Sequence, residues 1–89
     1  RILIANFGGE DEAYAVRLVK QLRDAGVASE VYPDPVKMAK QFKYADARSI
    51  PFVAMLGADE RAKNVIAVKN LFTGEQSLLN LSQLIEALK

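Results

Sequence analysis

An 89-residue chain with 51% hydrophobic and 26% charged residues has the composition of one ordinary globular domain, too short for a second core or a deep cleft between lobes. It contains neither cysteine nor histidine, which excludes disulfides, thiol nucleophiles, zinc sites built on those ligands and every serine–histidine arrangement. Twelve basic against eleven acidic residues leave a net charge of +1, so any attraction to nucleic acid must come from local clustering.

Residues 1–6 (RILIAN) form an apolar run ended by Phe7-Gly8-Gly9, which predicts a buried strand and a turn. A helix follows. Glu10, Asp11 and Glu12 load its first turn, Ala15, Leu18, Val19 and Leu22 recur on one face, and Gly26 supplies the stop. Residues 27–32 alternate as a half-buried strand does, and Pro33-Asp34-Pro35 ends them, with Pro35 expected as the first helical residue. From Val36 to about Ser49 the spacing predicts a helix whose apolar stripe is Met38, Phe42 and Ala45. Pro51 closes it, and residues 52–56 (FVAML) read as a strand covered on both faces. Residues 58–63 make a polar connection or one helical turn. Residues 65–71 and 75–79 pair as a hairpin about Thr73-Gly74. The last helix starts at Asn80, where Asn80 and Gln83 stand at capping-box spacing.

The order β-α-β-α-β-β-β-α requires parallel pairing in the first half, so the expected fold is an α/β domain of three-layer type: a mixed five-stranded sheet flanked by helices. Residues 1–89 form one domain without linker or repeat. No apolar run approaches the roughly 18 residues that span a bilayer, and the opening residues lack the pattern of a secretory signal. The expectation is a soluble, cytoplasmic chain without membrane contact. Because it opens on Arg1 and enters a strand at once, it is expected to be a piece of a longer protein.

Gly8-Gly9 stands where a phosphate loop would lie, but neither GxGxxG nor GxxxxGK[ST] is present and three acidic residues follow. No spacing among the carboxylates makes a magnesium site or a catalytic pair. Two constellations remain. On the second helix Lys37, Gln41, Tyr44 and Arg48 recur on one flank, about 110° from the apolar stripe, with Lys40 and Lys43 adding charge nearby. Cations for phosphate and a ring for stacking are what single-stranded RNA binding requires, although a solvated face with Tyr44 half packed explains the spacing as well. In the hairpin, Lys69, Asn70, Thr73, Gly74, Glu75 and Gln76 gather donors and acceptors at one end of the sheet, which is either a base-reading surface or a polar turn.

The stretch FKYADARSIPFVAMLGADE, followed by VKNLFTGEQ, resembles the C-terminal anticodon-binding domain of bacterial histidyl-tRNA synthetases, within the class II aminoacyl-tRNA synthetase anticodon-binding family. The resemblance runs from the first strand to the last helix, and Val68-Lys69 through Thr73-Gly74-Glu75-Gln76 points to the histidyl branch. It implies an α/β module with a mixed five-stranded sheet that grips the anticodon of histidine tRNA. Glu60 falls at an acidic position after the third strand that contacts an anticodon base in related synthetases, and Lys69 at a basic strand position with a similar part. Base discrimination is then expected of Glu60, Glu75 and Gln76, with Lys69 and the helix cations holding the strand. The loop Pro33-Asp34-Pro35 departs from relatives that place an amide there, and Asn64 stands where many have glycine. The parent implied by the resemblance is a homodimeric ligase that uses ATP and Mg²⁺, with no catalytic residue in these 89. The alternative is a non-catalytic, synthetase-like regulatory or accessory domain acting in dimerisation or sensing.

Overall fold

The apolar run at the start of the chain becomes the centre of a sheet. In the computed structural model, which describes residues 1–88, β1 (Ile2–Ile4) is buried along its whole length and pairs in parallel with β2 (Ser29–Val31) on one side and β3 (Phe52–Met55) on the other. Such burial on both faces is what three consecutive branched aliphatic residues specify. β4 (Ile66–Asn70) runs antiparallel to β3, and β5 (Gln76–Leu79) antiparallel to β4, so the strand order is β2-β1-β3-β4-β5. Among the described residues the elements alternate with α1 (Gly9–Asp24), α2 (Met38–Ala47), α3 (Ala58–Lys63) and α4 (Leu81–Leu88). The mixed five-stranded α/β architecture agrees with the expectation.

The pleat sorts the core into two layers. Ile2, Ile4, Ala54, Ile66 and Val68 face α1 and α4, where they meet Leu18, Leu22 and Leu84. Leu3, Ala5 and Val53 face α2 and meet Ala45, with Met38, Phe42 and Tyr44 packed around them. α4 begins as its spacing predicts: Asn80 Oδ1 accepts the Gln83 N–H at 2.8 Å, and Gln83 Oε1 accepts the Asn80 N–H at 2.9 Å.

Element ends differ from the sequence expectation by at most two residues, with a physical reason at α2. It starts at Met38 rather than Val36, and Pro35 precedes the helix instead of opening it. The Val36 carbonyl accepts from the Gln41 side chain at 2.9 Å and the Val36 N–H donates to Asp34, so this residue is held in the loop. The polar connection after β3 resolves into α3.

The turn from β1 into α1 depends on glycine. Gly8 and Gly9 both have positive φ, 78° and 54°, and a Cβ on Gly8 would lie 3.1 Å from the Pro35 Cβ, whereas one on Gly9 would meet nothing within 4 Å. Gly8→Ala should therefore lose about 1–3 kcal/mol, from backbone strain together with a contact the rigid proline ring cannot relieve, and Gly9→Ala less. Equal losses in denaturant melts would show that the Pro35 contact does not matter.

Candidate nucleic-acid interface

The parallel strands β1 and β3 leave their carboxyl ends side by side, and the chain departs from β1 toward β2 on one side while β3 lies on the other. At this edge Asn6 and Gln41, both fully buried, are joined reciprocally: Gln41 Oε1 accepts the Asn6 N–H at 2.8 Å, and Gln41 Nε2 donates to the Asn6 carbonyl at 2.9 Å. The Asn6 side chain donates to the Tyr32 carbonyl and to Glu12, and accepts the Gly8 N–H at 2.8 Å. Two amides thus tie together the loops after β1 and β2 and the start of α2. Gln41 is consequently a correction to the sequence reading: placed there on an RNA-facing flank, it lies inside the domain with its polar atoms committed to backbone. A buried amide needs such partners, and Asn6 supplies them.

Glu60 lies at the same edge, on α3, where its Oε1 accepts the Gly57 N–H at 3.2 Å. The neighbouring Arg61 anchors α3 to α1 by a 2.6 Å bond to Asp11, with Glu10 at 3.8 Å and the Tyr14 ring 4.7 Å below its guanidinium. Desolvation acts to lower the Arg61 pKa, but Asp11 and Tyr14 outweigh it and raise the value above its ordinary one. Arg61 stays charged, and Glu60 is carried on a fixed element.

The second-helix flank separates. Lys37 is exposed at the N-terminal boundary of α2. Tyr44 is half-buried: its ring meets Tyr32 edge-on at 5.1 Å, carries the Arg48 guanidinium at 4.5 Å, and its hydroxyl donates to Glu30 at 3.3 Å. This is the packed alternative for Tyr44, and the ring expected to stack on a base is occupied by Arg48. Tyr44 is thereby packed toward β2, and Arg48 stays exposed at the end of α2.

The hairpin residues separate as well. Asn70 Oδ1 accepts the N–H groups of Phe72 and Thr73, Thr73 Oγ1 accepts that of Glu75, and Gly74 takes φ 78°, so Asn70, Thr73 and Gly74 shape the turn itself. Lys69 and Gln76 are directly opposite each other across the β4–β5 pair and share a face. Glu75 lines the other face with Asn70, Ser77 and Leu84, because side chains alternate along a strand. The pair Glu75-Gln76, read together from sequence, is split by the sheet.

What the structure does bring together is a band of lysines. Lys37, Lys40 and Lys43 lie exposed along α2 beside Pro35, Val36 and Ala39. Lys43 borders an open groove of about 430 Å³ between α2 and the hairpin, also lined by Phe42, Asp46, Leu71 and Lys69, whose Nζ is 5.1 Å from the centre of the Phe42 ring. Beyond it, on the face that Lys69 shares with Gln76, no helix among the described residues covers β5, and Leu78 is 59% exposed. The sequence reading missed the Asn6–Gln41 clamp and the Arg61 hub. Asn6, polar at the end of an apolar strand, was the available signal for the first; nothing local announces the second, since its partner Asp11 is 50 residues away.

Comparison with known proteins bears on this geometry. The family model for the anticodon binding domain matches residues 1–89. The histidine–tRNA ligase of Phocaeicola vulgatus is 42% identical over 88 residues, spanning 99% of this chain and 19% of the relative. That of Christiangramia forsetii is 44% identical over 89 residues, spanning 100% and 20%. The crystal structure of histidyl-tRNA synthetase from Nostoc sp. superposes with a TM-score of 0.91 at 31% identity, covering 97% of this chain and 21% of that one. The RNA binding domain of threonyl-tRNA synthetase from Cryptosporidium parvum superposes at 0.90 with 17% identity, a likeness of fold alone. The chain spans about a fifth of the length of the curated relatives it matches.

Proposed function

This chain belongs to the anticodon-binding domain family, and from that premise we propose that it grips the anticodon arm of histidine tRNA on behalf of a longer histidine–tRNA ligase. The observation that supports this most directly is the lysine band beside the open face of the hairpin. At a net charge of +1 the whole domain has little long-range pull on RNA, so Lys37, Lys40, Lys43 and Lys69 are where phosphates can be held. In this reading Glu60, beside the strand ends, offers an acceptor to a base edge, while the lysines hold backbone of any sequence. Glu75 and Gln76, on opposite faces, cannot both read one base.

The ligation itself, with its ATP and Mg²⁺, is assigned to the part of the relatives these residues do not span, in a cytoplasmic homodimer. Among the described residues no group of three or more acidic side chains is placed to hold a metal ion, and no helix is long and apolar enough to cross a membrane.

The test is a titration of the complete polypeptide with an anticodon stem-loop over a range of salt. Replacing Lys40, Lys43 and Lys69 together by alanine should weaken binding and flatten the log–log salt slope by about 2, at roughly 0.7 per lost phosphate contact on single-stranded RNA. Lys20→Ala, on exposed α1, should leave the slope unchanged. An unaltered slope in the triple variant would place the RNA elsewhere.

A further inference from the structure

The exposed ring of Phe7 has no counterpart in the core. It is 39% exposed, belongs to neither hydrophobic layer, and sits just past the end of β1 with its Cε2 where a Cβ on Gly57 would come within 3.9 Å. The strand order explains why this place matters. In an open α/β sheet the loops after two adjacent parallel strands diverge where the connections reverse direction, leaving a crevice at the carboxyl ends, and here that point lies between β1 and β3. Phe7 comes from β1, Gly57 from the end of β3, and Glu60 reaches the same glycine from α3, its Oε1 3.3 Å from the position of a Gly57 Cβ.

We propose that Phe7 is a stacking platform for one unpaired base of the anticodon loop, a contact that rests on the function proposed above. The backbone on both sides of the ring is fixed. Asn6 N–H and C=O are clamped by Gln41, and the Gly8 N–H is held by Asn6 Oδ1. The backbone that carries the ring therefore has little freedom left to lose on binding. Its surroundings select a base over a phosphate: Glu10 and Glu12 follow closely in the chain, no phosphate-binding glycine motif is present, and the lysine band lies along α2 instead. Every base has a π-face that an aromatic side chain can accept, whereas Tyr44, the ring expected from sequence to do this, is already covered by Arg48.

The experiment uses the complete polypeptide and anticodon stem-loops carrying 2-aminopurine at each loop position in turn. The unsubstituted protein should change the fluorescence at one position most strongly. Phe7→Ala and Phe7→Leu should weaken binding by roughly 5- to 150-fold and abolish the change at that position, and Phe7→Tyr should retain both. Leucine keeps an apolar cover over Gly57 but has no π-face. If Phe7→Leu binds and responds as the unsubstituted protein does, Phe7 is a hydrophobic seal and the inference is overturned while the functional reading stands. If the unsubstituted protein does not bind the stem-loop at all, the functional reading falls and this inference with it.

Discussion

Gln41→Leu is expected to destabilise the domain by about 3–5 kcal/mol, a large part of the roughly 4–13 kcal/mol available to a chain of this length. Leucine fills a similar volume, so the loss is not one of packing. It arises because the Asn6 N–H and the Asn6 carbonyl lose their bonds to Gln41 in the interior and the part-buried Val36 carbonyl loses a third, each buried group costing about 1–3 kcal/mol when left unsatisfied and the losses being less than additive together. Gln41→Glu separates hydrogen bonding from shape. Ionised, glutamate can accept from the Asn6 N–H but faces two carbonyls with no proton to give. Protonated, it can donate to one of them. Burial and those carbonyls hold its folded pKa above the unfolded value of about 4.3, so between the two values the folded state binds more protons and stability falls as pH rises. The variant should therefore lie closest to the parent near pH 4 to 5 and furthest at pH 7, by chemical denaturation of both proteins at each pH. A difference independent of pH would show that water reaches position 41.

This clamp also marks where the sequence stops being informative. The helical period placed the α2 stripe on Met38, Phe42 and Ala45, and all three do pack inward, yet the most buried pair is Gln41 and Ala45, roughly 45° around the helix from that centre. The rotation is invisible locally, because a glutamine is assigned to solvent unless a partner is known, and its partner Asn6 is 35 residues away. Features set by neighbours in sequence came through: the buried first strand, the hairpin turn at Thr73-Gly74, the capping box at Asn80 and Gln83. Those set by sheet geometry did not. Glu75 and Gln76 are adjacent in the chain and so were read as one element, but the pleat sends them to opposite faces, and Lys69 faces Gln76 only because of the register of the antiparallel pair. The family resemblance identified the domain and its fold, while the positions of its polar side chains needed the three-dimensional arrangement.

Leu84→Ala should produce the other large loss, about 3–5 kcal/mol, and it should be felt unevenly across the sheet. Leu84 is the fully buried residue of α4, and it lies over the half of the sheet that has only one covering helix layer, beside Phe52, Val68 and Leu79. An open pocket of about 170 Å³ adjoins it, lined also by Glu75 and Ser77, so truncation extends this pocket inward beneath α4. β5 has few other attachments: it is an edge strand, and Gln76, Ser77 and Leu78 are exposed. β1, by contrast, is paired on both sides and buried on both faces. Hydrogen exchange on the Leu84→Ala protein should accordingly show the β5 and α4 amides losing protection well before those of β1 and β3, because the opening that exposes them needs only the hairpin and last helix to release. Equal loss of protection in β1 and β5 would mean that the sheet opens as one unit. The lysine band would then have no independently mobile side, and Lys69 would be as rigidly placed as Lys40 and Lys43.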